Sequence, residues 1–148
     1  YTTAFTLAQM VLPAMGDASL GLLHSSFWSP DLDNPVNRKF VTDFQTQYDR
    51  IPSLFAAQGY DAALLIDSAL RAVDGNLEDK DALRQAFRRA NFQSVRGEFK
   101  FNRNHFPIQN FYIREVIRNN EGTLTTRTIG TAFVDHADAY VSECPMDW

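Results

Sequence analysis

The apolar period of this chain changes once, near Asn91, and that single change limits the folds open to it. Before it, apolar residues recur at helical spacing. Beyond it, Phe99-Lys100-Phe101 alternates, and Phe111, Ile113, Glu115 and Ile117 alternate with Tyr112, Arg114, Val116 and Arg118. Only one apolar run in the first part, Leu20-Gly21-Leu22-Leu23, reads as a strand, covered on both faces. The order is therefore helix, strand, three helices, then two or three strands, which is an α/β chain. Three consecutive helices cannot all cover their apolar faces with the single strand before them, because layered folds need a sheet under such helices. The chain reads as part of a larger fold.

The helix signals are local and specific. The first helix is expected from Thr6, with Leu7, Met10, Val11 and Ala14 at helical spacing and Gly16 as its stop. Asn34 before Pro35 reads as an N-cap with proline in the first turn. Val36, Phe40, Val41, Phe44 and Tyr48 then make one stripe that ends near Arg50. Ser53 caps the next helix. From Leu54 to Val73 that helix is Ala-rich and apolar over most of its circumference, which predicts burial on more than one side. A charged helix over Asp79 to Ala90 should turn Leu83, Phe87 and Ala90 inward and Arg84, Arg88 and Arg89 outward. The cluster Asn119-Asn120-Glu121-Gly122 reads as the turn of a hairpin returning over Leu124 to Ile129, and periodicity weakens after Ala132.

Composition excludes several classes. Of 148 residues, 45% are apolar and 22% charged, which suits a packed core rather than disorder or a coiled coil. No apolar run approaches the ~20 residues of a membrane-spanning helix. A net charge of -4 argues against nucleic acid as a partner. The single cysteine, Cys144, excludes an internal disulfide and a Cys-based zinc cluster. The start, Tyr1-Thr2-Thr3-Ala4-Phe5, has no Met, basic segment or apolar segment, and reads as the interior of a longer polypeptide.

Catalytic patterns are missing as well. His24, His105 and His136 stand at no metal-ligand spacing. His136 between Asp135 and Asp138 reads as a solvated acidic loop, and Asn102-Arg103-Asn104-His105 as a polar turn without the acids of a calcium loop. Neither a nucleophile elbow nor a phosphate-binding glycine loop is present. Arg84, Arg88 and Arg89 follow Glu78, Asp79 and Asp81 on one helix and complement its dipole. We expect no enzyme, metal or cofactor. Aromatic richness stands out instead, with twelve Phe. Most belong to the core, but Phe5 and Phe55 sit at helix beginnings. Open α/β folds receive ligands there, outside the carboxyl ends of strands.

Several stretches resemble a known family. These are Pro52-Ser53-Leu54-Phe55-Ala56-Ala57-Gln58-Gly59-Tyr60-Asp61-Ala62-Ala63, and Ser94-Val95-Arg96-Gly97-Glu98-Phe99-Lys100-Phe101-Asn102 continuing through His105-Phe106-Pro107-Ile108-Gln109-Asn110-Phe111-Tyr112. Asn34-Pro35 with Phe40, Phe44 and Tyr48 fits the same pattern. The chain resembles class I periplasmic binding proteins of the leucine/isoleucine/valine-binding type, the substrate-binding proteins of ABC importers.

The resemblance implies two open α/β lobes joined by crossing hinge strands, of which this chain is the C-terminal portion. Residues 1–28 would end the second lobe, 29–110 return into the first lobe, and 111–148 supply hinge-crossing strands and tail. It implies ligand contacts at Ala4, Phe5 and Phe55, with Gln58 as a polar contact or a helix-packing residue. Amino-acid binders carry an acid in the first loop to pair the ligand's ammonium. Thr2-Thr3-Ala4-Phe5 has none, and an unpaired ammonium in a closed cleft is costly. The implied ligand is an aromatic or branched aliphatic carboxylate, or an amino acid, held without chemical conversion. The implied partners are a membrane permease and the N-terminal part of the same protein, in the periplasm or outside the cell. An extracellular ligand-sensing module of a signalling receptor is the alternative. Export would let Cys144 pair with a cysteine outside this chain; a free structural thiol is the other reading.

Overall fold

The helix punctuation seen in the sequence is used as written. Asn34 Oδ1 accepts the backbone N–H of Asn37 at 2.8 Å and opens helix α2, Pro35–Tyr48, which ends at Asp49 in a left-handed conformation (φ 51°). Ser53 opens α3, Leu54–Ala72, and Asp79 Oδ1 accepts from Ala82 N at 2.9 Å to open α4, Lys80–Arg89. Each such cap contributes about 1 kcal/mol. The structure, a computed structural model, describes residues 1–144 and Met146.

Two early expectations are corrected. Residues 6–11 form mostly turns rather than a helix; only Leu12–Met15, α1, is α-helical, and a 3-10 turn over Gly16–Ser19 follows it. Pro13 explains this. It has no N–H and is tolerated only in a first turn, so the helix starts immediately before it. The first long strand is β2, Leu23–Ser26, and not the run from Leu20. Gly21 adopts φ +75°, a turn conformation that ends any strand through it, and Leu20 and Leu22 are exposed. Within β2, His24 and Ser26 are buried and Ser25 is exposed, so the strand has one covered face.

Among the described residues, five strands make one mixed sheet. β1, Thr2–Thr3, runs parallel to β2, pairing Thr2 with His24. The long strand β4, Pro107–Arg118, lies antiparallel to β2 on one side, with His24 opposite Arg114, and also pairs with the short β3, Lys100–Phe101. β5, Leu124–His136, pairs with β4 through register shifts between Gln109 and Phe111, Phe111 and Tyr112, and Ile113 and Arg114. It extends past the Ile129 expected from alternation, because backbone pairing with β4 continues where the side-chain pattern fades.

Apolar burial falls into two clusters. Leu7, Leu12, Val116 and Leu124, with Met15 against them, join α1 to the β4–β5 hairpin. Ala4, Ala8, Trp28, Phe40, Leu54, Ala57 and Val95 join the segment after β1 to α2 and α3. α3 buries one stripe only: Ala62, Ala63 and Ile66 are exposed, against the expectation of burial on several sides. On α4, Ala86 is the buried residue and Arg88 is half-buried, while Arg84 and Arg89 are exposed as expected. Asn102 to His105 form the turn between β3 and β4, closed by His105 N donating to Asn102 O at 2.9 Å. Cys144 is half-buried. No described helix is long and apolar enough to cross a membrane.

Candidate functional site

Thr6 N donates to Thr3 O at 3.2 Å, closing a turn directly after β1. That turn carries Ala4 and Phe5. It anchors itself with Ala4, which is packed into the cluster containing Trp28, Phe40 and Leu54, and it leaves the Phe5 ring 56% exposed. Phe55 occupies the first turn of α3 and is 47% exposed, while its neighbours Leu54 and Ala57 are buried. The rings of Phe5 and Phe55 meet at a centroid distance of 5.9 Å with 34° between their planes. Gln58 follows Phe55 by three residues on the exposed face of α3, the spacing at which helical side chains are neighbours. The structure thus brings Phe5 and Phe55 together at the carboxyl end of a strand and the start of a helix. Ala4 supports the turn from the core side.

Two large apolar rings left half in water form a receptive surface, because covering them removes apolar area worth about 25 cal/mol per Å². Their spacing limits how. A flat ring inserted between two others needs about 7 Å, twice the ~3.5 Å contact distance. At 5.9 Å a guest lies across the open faces and edges of the pair, in the tilted or edge-on geometries that aromatic groups favour.

Behind this surface lies a buried polar network absent from the expected site residues. Asp61 on α3 is 2% exposed, and its carboxylate accepts from Ser94 Oγ at 2.6 Å, Val95 N at 2.9 Å and Arg96 Nε at 2.9 Å. The other arm of Arg96 donates to Gln109 Oε1 on β4 at 2.8 Å, and its guanidinium lies 4.4 Å from the Phe99 ring centroid. Burial pushes the Arg96 pKa down, and Asp61 opposes that shift. The signal was legible in principle: Asp61 stands on the same stripe as Leu54 and Ala57, where an acid requires a partner.

A second polar group crosses the sheet. Arg114 is buried, donates to Thr126 O at 2.6 Å and Trp28 O at 3.3 Å, and faces Asp31 at 3.6 Å. Burial lowers its pKa to about 10, against the attraction of Asp31. Opposite it, buried His24 is held down to about 4, first by burial and then by the Arg114 charge. His136 packs its ring against Phe111 and Phe133, at 5.4 and 5.0 Å, and Asp138 accepts from Asn104 Nδ2 at 2.6 Å. Among the described residues no group of three His, Cys, Asp or Glu is placed to hold a metal ion.

Comparison with known proteins gives this arrangement a family. The Leu/Ile/Val-binding protein homolog 6 of Brucella abortus (strain 2308) is 31% identical over 123 residues, which is 81% of this chain and 31% of that protein. An ABC transporter solute-binding protein from R. palustris, solved in complex with benzoate, is 36% identical. It superposes with a TM-score of 0.83 over 93% of this chain and 36% of that one. A solute-binding protein from Rhodopseudomonas palustris BisB5, in complex with 3,4-dihydroxy benzoic acid, is 28% identical with a TM-score of 0.79, over 90% of this chain and 36% of that one. The chain spans about a third of the length of these relatives. The family model for periplasmic binding proteins matches residues 1–122, a range that holds β1 through β4 and the four α-helices and ends before β5. With fold, sequence and topology in agreement, the chain belongs to the class I periplasmic binding protein family.

Proposed function

We propose that this chain is the C-terminal part of the solute-binding component of an ABC importer, and that it captures a small aromatic carboxylate without converting it. The observation that carries this reading is the half-exposed Phe5–Phe55 pair, centroids 5.9 Å apart, at the mouth between a strand end and a helix start. Phe5 and Phe55 supply apolar contact to the ligand ring, Ala4 holds the turn, and Gln58 offers a polar group one helical turn further along.

Two further facts support an aromatic acid over an amino acid. No acidic residue lies in Tyr1-Thr2-Thr3-Ala4-Phe5-Thr6 to balance an ammonium. The 36%-identical solute-binding protein was solved with benzoate, and the 28%-identical one with a dihydroxybenzoic acid. In this reading residues 1–28 end the second lobe, 29–110 belong to the first, and 111–148 cross the hinge and form the tail. The remaining N-terminal part supplies the opposite wall of the cleft. The ligand selects the closed arrangement through contacts it makes with both lobes at once. A membrane permease is the partner that receives it, and the periplasm is the compartment.

Isothermal calorimetry of the complete two-lobed protein tests the proposal. Benzoate or a hydroxybenzoate should bind with one site per protein and more tightly than leucine. Tight leucine binding with no heat from aromatic acids rejects the ligand assignment.

A further inference from the structure

We infer that Asp61, Arg96 and Gln109 are positioning residues for the ligand face of α3, acting as a buried polar strut between that helix and β4; this rests on the reading of Phe5 and Phe55 above. Asp61 lies six residues after Phe55, about 9 Å along the helix axis and about 120° around it. The strut therefore grips α3 from the side turned away from the exposed ring.

The apolar packing of α3 does little to fix its rotation. Its buried stripe consists largely of Leu54, Ala57 and Ala69, and such contacts are non-directional. A small twist or slide of an Ala-rich helix changes their area only slightly. The strut responds differently. Asp61 accepts two donors from the 94–95 segment and one from Arg96, so both carboxylate oxygens are bound from fixed directions. Arg96 is planar, and it reaches Gln109 while lying over Phe99 and within 5.7 Å of the Phe27 ring centroid. Phe27 in turn meets Phe111 of β4 edge-on at 6.3 Å. Any rotation of α3 that moves Phe55 must lengthen these charge-assisted bonds, which are short and angle-dependent. A buried ion pair is a weak source of stability compared with well-packed apolar residues, so its geometric specificity is the stronger reason for its presence here.

The test uses the complete two-lobed protein, with benzoate and leucine as probes, at 15 °C where near-UV circular dichroism shows each variant folded. Asp61→Asn keeps an acceptor for the 94–95 segment and loses the charge opposite Arg96. Gln109→Ala cuts only the link to β4, and Gln109→Glu restores it. We expect Asp61→Asn and Gln109→Ala each to weaken binding at least fivefold with one site retained. Gln109→Glu should return affinity to within twofold of wild type, and Arg71→Ala, on the exposed side of the same helix, should leave it unchanged.

Wild-type affinity in folded Gln109→Ala overturns the inference and leaves the reading of the site intact. So does failure of Gln109→Glu to recover what Gln109→Ala loses. If Asp61→Asn does not fold, the two Gln109 variants decide the matter. Leucine bound tightly without benzoate rejects the aromatic ligand, and the same variants titrated with leucine then judge the strut. Binding of neither probe by the wild-type protein overturns both.

Discussion

The indole N–H of Trp28 donates to Asn37 Oδ1 at 2.8 Å, and both residues are almost completely buried. The amide nitrogen of Asn37 faces the carbonyls of Ser29, Pro30 and Leu32 at 3.1 to 3.3 Å. One side chain from the first turn of α2 thus organises the whole connection out of β2. Replacing Asn37 with Ala strands the indole donor and several carbonyls in a dry site. The expected cost is about 2–4 kcal/mol, from desolvated groups worth about 1–3 kcal/mol each. Urea denaturation should show a lower midpoint with an unchanged slope.

Phe5 and Phe55 should behave in the opposite way. Being about half exposed, they contribute little to folding, so Phe55→Ala should change stability by less than about 1 kcal/mol. Ligand binding removes the remaining exposed area, and the same substitution should weaken benzoate binding by about tenfold or more. Phe55→Leu should recover part of that loss. Equal affinities for wild type and Phe55→Ala, measured by calorimetry, would remove Phe55 from the ligand contacts.

His24 makes stability depend on pH. Its folded-state pKa lies near 4 rather than 6.5, through burial first and the Arg114 charge second. The unfolded chain therefore takes up a proton at a pH where the folded one refuses it. The contribution is complete above about pH 6.5, declines as pH falls toward 4, and is gone below. Between pH 7 and pH 5 the expected loss is about 2 kcal/mol. His24→Leu should flatten the pH dependence of the urea midpoint over that interval.

Asp31 ties the loop after β2 to β5. Its carboxylate accepts from Thr128 N at 2.7 Å and Thr128 Oγ1 at 2.9 Å, takes the Ser29 hydroxyl, and is the acidic partner of buried Arg114. Asp31→Ala leaves a guanidinium inside the sheet without its carboxylate. Because Asp31 is itself partly exposed, the expected destabilisation sits below the 3–5 kcal/mol of fully buried pairs, at about 2–3 kcal/mol. Added salt should narrow the gap between variant and wild type in thermal melts only slightly, since Arg114 is shielded from solvent.

Where a local signal was backed by short-range chemistry, the sequence was readable. Asn34-Pro35, Ser53 and Asp79 start helices through bonds made within one turn, and alternation from Phe111 onward marks a strand, although its buried positions, Arg114 and Val116, lie on the face that carries the arginines. Pro13 outweighs the apolar spacing of Leu7, Met10 and Val11, so a turn series stands where that spacing predicts a helix. Gly21 lies inside an apolar run of the sequence, but its conformation makes it a break. At the site, Phe5 and Phe55 were legible from their positions at element ends, but their mutual approach depends on tertiary packing through Ala4, Leu54 and Ala57. Asp61 and Arg96 carry no such local signal of a site. Their bond spans distant segments, and nothing local in either segment points to the other.

The three slips of register between β4 and β5 all fall between Gln109 and Arg114. Each adds length to β5 relative to its partner, so the ribbon must coil there, since bulges bend and twist the strand that carries them. The regular ladder from Arg114 to Arg118 is stiff by comparison. The long hairpin is therefore bent beside Gln109, the residue that anchors Arg96, and regular from Arg114 to Arg118.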